Sequence, residues 1–252
     1  MTVARRVRRL LVAGVASLVG VAILVGLGTW QLQRKAWKEA LIATLERRFA
    51  AAPMSLPPAQ EWPRLKSGEM EFRRVRFTAT FLHDREALVY AGASALRSDA
   101  SGPGYWVFTP AQLADHALVM VNRGFVPEGR QDQARRPEGR VAGPLEIVGV
   151  LRWPERPGWF SPSPDVAHNL WFVRDPGAIA AAKDLGTVAP FYVEQESPQP
   201  PGGLPSPAKL KINLPNNHAQ YVITWYGLAA ALAAVFTVYA LTQGRAGSAA
   251  PP

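Results

Sequence analysis

Two long uncharged runs lie near the ends of the chain. The first, Leu10 to Gln33, has 24 residues without a charge, and the second, Tyr221 to Leu241, has 21. A helix rises about 1.5 Å per residue and the hydrocarbon core of a bilayer is about 30 Å thick, so each run is long enough to cross a membrane once. The first run could instead be a signal peptide, but it exceeds the roughly 7–15 apolar residues of a signal core, which favours an uncleaved anchor.

Beyond the first run, the pattern predicts an amphipathic helix over residues 34–52. Apolar side chains recur at every fourth position: Trp37, Leu41, Leu45 and Phe49. Lys and Arg occupy much of the opposite face, which is typical of a helix with one packed side and one solvated side. The pattern allows this helix to continue the first apolar helix outward, and the prolines from Pro53 onward end it.

Residues 53–196 predict a strand-rich domain. Apolar and polar side chains alternate from Arg74 to Phe81, the period of a strand with one buried face. Similar segments predict strands at Ala87–Ala91, Tyr105–Thr109, Leu118–Asn122, Leu145–Leu151, Leu170–Val173 and Pro190–Glu194, and one helix near Gly177–Asp184. Short strands between Gly and Pro turns indicate a sandwich or a partly closed barrel.

The fold class predicted is therefore an α+β membrane protein, in which two transmembrane helices flank a strand-rich extracytoplasmic domain. The helices are expected at residues 10–33 and 218–243, with tails at 1–9 and 244–252. Residues 197–217 are expected to be a linker, because the stretch 197–208 is rich in Pro, Gly and Ser and predicts a spacer.

Charge modifies this picture. Four arginines precede the first run and Arg245 follows the second, while 23 Lys and Arg lie between the runs with all 19 Asp and Glu. Most of the net charge of +9 thus belongs to the tails, which argues against a nucleic-acid-binding face on the domain. The chain has no cysteine, which excludes disulfides, thiolate metal sites, Cys nucleophiles and covalent c-type haem.

The same charges set the expected orientation. Loops longer than about 60 residues cross a membrane largely regardless of charge, so the short basic N-terminal tail marks the cytoplasmic side. Both termini are then cytoplasmic, and the domain faces a periplasm or its mitochondrial counterpart. No long presequence precedes the first run, which favours a bacterial inner membrane.

The domain carries no enzyme signature such as GxSxG, HExxH or a phosphate-binding Gly loop. Three of the four histidines lie in predicted turns next to Asp or Asn, namely His83, His116 and His168. Surface turns explain them better than acid–base pairs.

The fourth histidine, His218, precedes the second run by three residues. On a helix its face is shared by Tyr221 and Trp225, which lie three and seven residues further on. An imidazole above aromatic rings at the wet end of a membrane helix suits axial ligation of a haem. The alternative is that these residues only occupy the headgroup level, where His, Tyr and Trp are common.

Topology brings a second set of residues into the same leaflet. The spans run in opposite directions, so the outer end of the first (Trp30, Gln31, Arg34 and Lys35) and the start of the second can share a pocket. Arg34 or Lys35 could pair with haem propionates, and Arg is the better partner because its fork matches a carboxylate. Alternatively, these cations only end the first helix at the interface.

Five blocks, in order along the chain, resemble the Surfeit-locus Surf-one family of cytochrome c oxidase assembly proteins. They are Gly28–Ile42, Val121–Pro127, Gly149–Glu155, Asn169–Asp175 and Asn216–Tyr226. The chain departs from the family pattern mildly, with Val222 where many members have Ala and Phe125 where some have Trp.

The resemblance implies a non-enzymatic, two-span inner-membrane protein that binds haem a and aids its insertion into oxidase subunit I. It implies His218 as the ligand of the haem iron. Residues Tyr221, Trp225, Trp30, Gln31 and Arg34 are the expected surroundings of the haem. Subunit I and the lipid bilayer are the implied partners, with haem a synthase as a further one, and no nucleic acid is expected.

Three rivals stay open at this level. One is a scaffold that stabilises an oxidase assembly intermediate without carrying haem. The others are a two-span protein with an outward sensing domain, and one with an outward enzymatic domain. Within the domain, the predicted Asn122–Gly124 turn favours a structural role for Gly124 and leaves Arg123 open.

Overall fold

The computed structural model describes residues 3–91, 102–211 and 216–248, so the predicted tails and the predicted linker lie partly outside the described residues. The chain divides into two compact units, one comprising Met1–Ala43 with Leu214–Pro252 and the other Thr44–Asn213. The helices are α1 (Val3–Ala50), α2 (Ser67–Met70), α3 (Pro176–Ala182) and α4 (His218–Ser248). The strands are β1 (Met54–Ser55), β2 (Arg74–Phe81), β3 (Ala87–Tyr90), β4 (Gly104–Gln112), β5 (Leu118–Pro127), β6 (Pro144–Arg152), β7 (Leu170–Trp171) and β8 (Val188–Ser197).

The first unit is a pair of helices, formed by α1 up to Ala43 and by α4, and the last seven residues of α1 belong to the second unit. By length and composition both could cross a membrane, over Ala4–Ala50 and His218–Gln243, with mean hydropathies of 2.7 and 1.7 in their most apolar windows. Helix α1 runs without interruption for 48 residues. The predicted amphipathic segment therefore continues the apolar helix, and the arginines before the first run are helical as well.

Glycines on α1 let the two helices pack closely. At three positions, a Cβ added to the glycine would press on a large side chain of α4. The pairs are Gly14 with Phe236, Gly20 with Leu232 and Gly28 with Tyr226, at 3.1, 2.8 and 3.1 Å. Small residues allow helix backbones to approach in this way. Because the α1 numbers rise as the α4 numbers fall, the helices are antiparallel.

The second unit is built on a closed five-stranded barrel. The strand order is β2-β6-β8-β5-β4, and β4 returns to β2 through the pairs Thr80–Gln112 and Phe81–Ala111. Neighbouring strands are antiparallel except β5 and β8, which are parallel. The sequence pattern was compatible with either a sandwich or a partly closed barrel. The structure shows a barrel, and its five strands close completely. Closure leaves its five strands without an unpaired edge.

Two apolar cores lie on opposite sides of the barrel wall. The inner core includes Val75, Phe77, Val121, Ile147 and Phe191, and Trp62 packs edge-on against the Phe191 ring. The outer core includes Val89, Trp106, Phe108, Met120, Trp171, Ile179 and Tyr192. Strand β2 alternates because one of its faces is solvated, whereas β4 and β5 are buried on both faces.

The seven predicted strands and the predicted helix are confirmed as β2 to β8 and α3. One boundary was wrong in a way that matters. Strand β5 continues to Pro127, so Asn122, Arg123 and Gly124 lie in a buried strand and not in a turn. A buried strand that carries Asn and Arg breaks the apolar pattern from which strand ends are predicted.

The Pro-rich stretch predicted as a spacer packs against the barrel. Ser206 pairs with Phe125 of β5 through two backbone hydrogen bonds of 3.0 and 2.9 Å. Three prolines and one leucine of the segment are buried: Pro200, Pro205, Pro207 and Leu210. The spacer prediction was wrong here because proline rings supply rigid apolar surface as readily as they supply an extended linker.

Gly124 makes this packing sterically feasible. Its φ is +121°, and an added Cβ would lie 2.0 Å from the carbonyl oxygen of Ser206. The structural role predicted for Gly124 is therefore confirmed.

Candidate functional site

His218 opens α4 and contacts α1 within the same unit. Its Nδ1 lies 2.7 Å from Oε1 of Gln31. His218 is half-buried, and Gln31 is only 9% exposed although its side chain is polar. The hydrogen bond gives the buried amide oxygen a partner that the apolar surroundings cannot supply.

This hydrogen bond fixes the tautomer of the imidazole. An amide oxygen only accepts, so Nδ1 of His218 donates. In the neutral ring, Nε2 then carries the lone pair, and none of the described residues bonds to it. An imidazole whose Nδ1–H is held by a carbonyl oxygen, with Nε2 left as a base, has the arrangement of a metal-ligating histidine.

A second polar atom lies close by in sequence. Oδ1 of Asn216, two residues before His218, is buried and has no hydrogen-bond partner among the described residues. Buried polar atoms are rarely left unpaired in folded proteins. The start of α4 therefore offers an imidazole lone pair and an unpaired amide oxygen together.

The aromatic residues predicted for the site lie near these helix ends and have partly exposed rings. Tyr221 is 52% exposed and Trp30 is 54% exposed. Trp225 is half-buried, one helical turn beyond Tyr221. These rings are available to contact an apolar ligand.

The two candidate cations differ in what they do. The Arg34 side chain is exposed, and its guanidinium carbon lies 4.2 Å from the ring centroid of Trp37. Lys35 is paired with Glu39, one turn further on, at 2.7 Å. The helix itself does not end at these cations, because α1 continues to Ala50. The alternative in which they only mark the membrane interface stays a prediction.

Sequence reasoning missed one member of this helix end, Tyr226. Its hydroxyl lies 3.0 Å from Oγ1 of Thr29, and its ring packs on Gly28. The available signal was the Gly28–Thr29 pair inside an apolar run, since a small residue beside a hydroxyl marks a place where another helix can approach and bond.

The barrel unit contains a buried ionic network. Arg136 forms a two-pronged ion pair with Glu86, and their side chains are 3% and 2% exposed. Arg123, the residue left open by the sequence, is also buried, and this burial lowers its pKa to about 10. It donates to the carbonyl of Gly139 and lies within 3.3 Å of Nδ1 of His83. These contacts hold neighbouring loops together, which is a structural role.

The other three histidines have local partners or strained backbone. His83 bonds through Nε2 to the carbonyl of Val141, and burial lowers the pKa of this histidine. His168 bonds to Asp165, and this hydrogen bond lowers the pKa of the carboxyl group. His116 lies in a turn with a positive φ of 66°. The described residues contain no group of three or more His, Asp or Glu placed to hold a metal ion.

Comparison with known proteins decides the family. A sequence model of the SURF1 family matches residues 18–230, a range that includes both Gln31 and His218. The chain belongs to the SURF1 family. The family match spans most of α1, the whole barrel unit and the first half of α4.

Relatives support the same assignment. The chain is 37% identical to a SURF1-like protein of Monosiga brevicollis over 90% of its own length and 87% of that protein. It is 36% identical to Surfeit locus protein 1 of Rattus norvegicus, over 82% of the chain and 68% of the relative. It is 32% identical to Surfeit locus protein 1 of Homo sapiens, over 82% of the chain and 70% of the relative.

Proposed function

We propose that this SURF1-family protein is a non-catalytic assembly factor for haem-copper cytochrome c oxidase, which binds haem a through His218 and aids its insertion into subunit I. Family membership supports the role in oxidase assembly. The observation that carries the ligand assignment is the hydrogen bond between Nδ1 of His218 and Oε1 of Gln31.

The residues at this helix end fit a haem. Gln31 holds the imidazole of His218 in the tautomer that has its lone pair on Nε2. Metal-bound histidines are oriented in the same way by residues that hydrogen-bond to their other ring nitrogen. The haem iron supplies the Lewis acid that accepts this lone pair. Oδ1 of Asn216, two residues before His218 in sequence, is a further polar atom without a described partner at the start of α4. Tyr221 and Trp30 offer partly exposed rings to the macrocycle.

The charged groups at this end have separate tasks. Arg34 is exposed and has no carboxylate partner among the described residues, so we assign it to a propionate of the haem. A guanidinium matches a carboxylate with two parallel hydrogen bonds. Lys35 is less suited to this task because it is paired with Glu39.

The proposed location follows from the two apolar helices. We place α1 and α4 across a bacterial inner membrane, with both termini in the cytoplasm and the barrel in the periplasm. The basic residues before the first apolar run favour this orientation. His218 and Gln31 then lie near the periplasmic boundary of the bilayer.

A carrier must release what it binds. The single imidazole of His218, together with apolar contacts, would hold the haem loosely enough for transfer to an acceptor. Two histidine ligands would be expected to retain the haem. Among the described histidines, only His218 lies in the helix-pair unit, which agrees with a single protein ligand.

The test uses the full chain, purified in detergent from cells that make haem a. We expect His218→Ala to lose most of the bound haem, and Gln31→Leu to weaken binding by roughly 10–100-fold, because the imidazole loses the group that orients it. His168→Ala is the matched control, since that side chain is exposed and lies in the barrel unit. Haem content and the position of the Soret band are the measurements.

Two results would separate the proposal from its rivals. If His218→Ala keeps the haem content and the Soret position of the unchanged protein, His218 is not the ligand. If the unchanged protein carries no haem a, and His218→Ala restores oxidase activity fully in cells lacking the wild-type protein, the scaffold hypothesis is correct. Loss of both haem and oxidase activity in His218→Ala supports the carrier.

A further inference from the structure

Two Arg–Arg pairs line one cavity in the barrel unit. Arg47 and Arg48 lie in the last turn of α1, and Arg73 and Arg74 lie at the entry to β2. The cavity has a volume of about 410 Å³, and among the described residues no Asp or Glu lines it. The fold thus brings together two arginine pairs from distant parts of the chain, since Arg48 and Arg73 are 25 residues apart.

Backbone carbonyls hold two of these guanidinium groups in place. Arg48 donates to the carbonyl oxygens of Gly68 and Glu71 near α2. Arg73 donates through Nε to the carbonyl of Glu69, at 2.8 Å. These bonds orient the side chains, but a carbonyl carries no net charge. Neither Arg48 nor Arg73 forms an ion pair with any residue that the structure describes.

Arg74 is different, because it is neutralised. Its Nε lies 2.8 Å from a carboxylate oxygen of Glu196, and its Nη1 donates to the carbonyl of Ala51 at 3.1 Å. The cavity therefore keeps at least the two positive charges of Arg48 and Arg73 without a described carboxylate partner. Like charges held around one cavity repel each other, and a bound anion would remove that repulsion.

We propose that this cavity binds a phosphate group. Guanidinium forks match phosphate oxygens with paired, charge-assisted hydrogen bonds. A phosphate monoester carries about −1.5 to −2 near neutral pH, which balances two uncompensated arginines, whereas one carboxylate balances only one. The phosphate could belong to a lipid headgroup or be free in solution, and the chemistry at the cavity is the same for both. The site is independent of the haem proposal, since it lies in the other unit.

The experiment titrates the full chain, in a neutral detergent at low ionic strength, with inorganic phosphate and separately with water-soluble dihexanoyl phosphatidic acid. Isothermal calorimetry measures both affinities. We expect Arg73→Gln to weaken binding about tenfold, because it removes one charged fork, and Arg48→Gln/Arg73→Gln to weaken it further. Arg73 is exposed and its side chain makes one hydrogen bond to the backbone of the described residues, so its replacement is compatible with folding.

Arg76→Gln is the matched control. It removes the same charge three residues beyond Arg73, within β2, but Arg76 is paired with Glu146 and does not line the cavity. We expect its affinities to stay within twofold of the unchanged protein. Phosphatidic acid binding at least tenfold tighter than phosphate identifies a lipid headgroup, and equal or weaker binding identifies free phosphate. If neither compound binds, or if Arg76→Gln weakens binding as much as Arg73→Gln, the proposal is wrong.

Discussion

Replacing Gly124 by Ala tests whether the Pro-rich segment is part of the barrel wall. Gly124 has a φ of +121°, and its added Cβ would lie 2.0 Å from the Ser206 oxygen and 2.2 Å from the Ser206 carbonyl carbon. Both are backbone atoms, so no side-chain rotation relieves the contact. The segment around Ser206 must move away, or β5 must distort.

The magnitude follows from what such a movement breaks. A non-glycine residue at this φ costs about 1–3 kcal/mol. Losing the two backbone hydrogen bonds between Phe125 and Ser206 costs about 0.5–1.5 kcal/mol each. We therefore expect Gly124→Ala to lower the free energy of unfolding by about 2–6 kcal/mol. For a unit of this size, each kcal/mol lowers the melting temperature by about 2–4 °C, so the expected drop is roughly 4–24 °C.

Gly143→Ala provides the control for backbone strain alone. Gly143 also has a positive φ, +77°, but no atom lies within 4 Å of its added Cβ. Its replacement should cost about 1 kcal/mol. Near-UV circular dichroism in detergent follows melting through the buried Trp side chains, and trypsin cleavage after Lys209 reports release of the segment. Equal melting temperatures for the two variants, with no new cleavage, would refute the packing argument.

Two further predictions concern the buried charges of the barrel unit. Glu86→Gln leaves Arg136 buried without a carboxylate and should destabilise the unit by about 3–5 kcal/mol in a denaturant titration, whereas a loss below 1 kcal/mol would contradict the pairing. Burial lowers the pKa of His83, so the folded state favours the neutral imidazole. The stability that this neutral side chain contributes is therefore present above about pH 6.5 and is lost as the pH falls below that value. His83→Gln keeps a neutral donor and acceptor at this position, so its melting temperature should fall less than that of the unchanged protein between pH 6.5 and 5. If the melting temperatures of the two proteins fall equally over this pH range, His83 is not the cause of the loss of stability.

The strands could be predicted from the sequence where one face of the strand is exposed to solvent and the other is buried. In β2, alternation from Val75 to Phe81 marks both the strand and its buried face. The prediction failed within β5, where Arg123 is buried among apolar residues and pairs with loops that are distant in sequence. The local pattern of apolar and polar residues predicts which positions are exposed to solvent. It cannot predict that a charged residue is buried, because the partners of that residue come from distant parts of the chain.

The candidate site was also predictable only in part. A polar Gln31 in an apolar run and a lone His218 before the second run were visible as exceptions to the pattern. The hydrogen bond between them could not be predicted from the sequence, because it depends on the axial register and the relative rotation of α1 and α4. The glycine contacts at Gly14, Gly20 and Gly28 set that register, because at these positions the large side chains of α4 approach the α1 backbone closely.

The sequence by itself determined the two long apolar helices, the strand segments between them and the family, because hydrophobic periodicity and residue identity are local properties of the chain. Only the tertiary structure decided that the barrel closes through Phe81 and Ala111, that the proline-rich segment joins its wall at Ser206, and that four arginines face one cavity. Each of these depends on contacts between residues far apart in sequence. Which of many compatible pairings forms is fixed by packing the whole unit at once, and no local pattern encodes that choice.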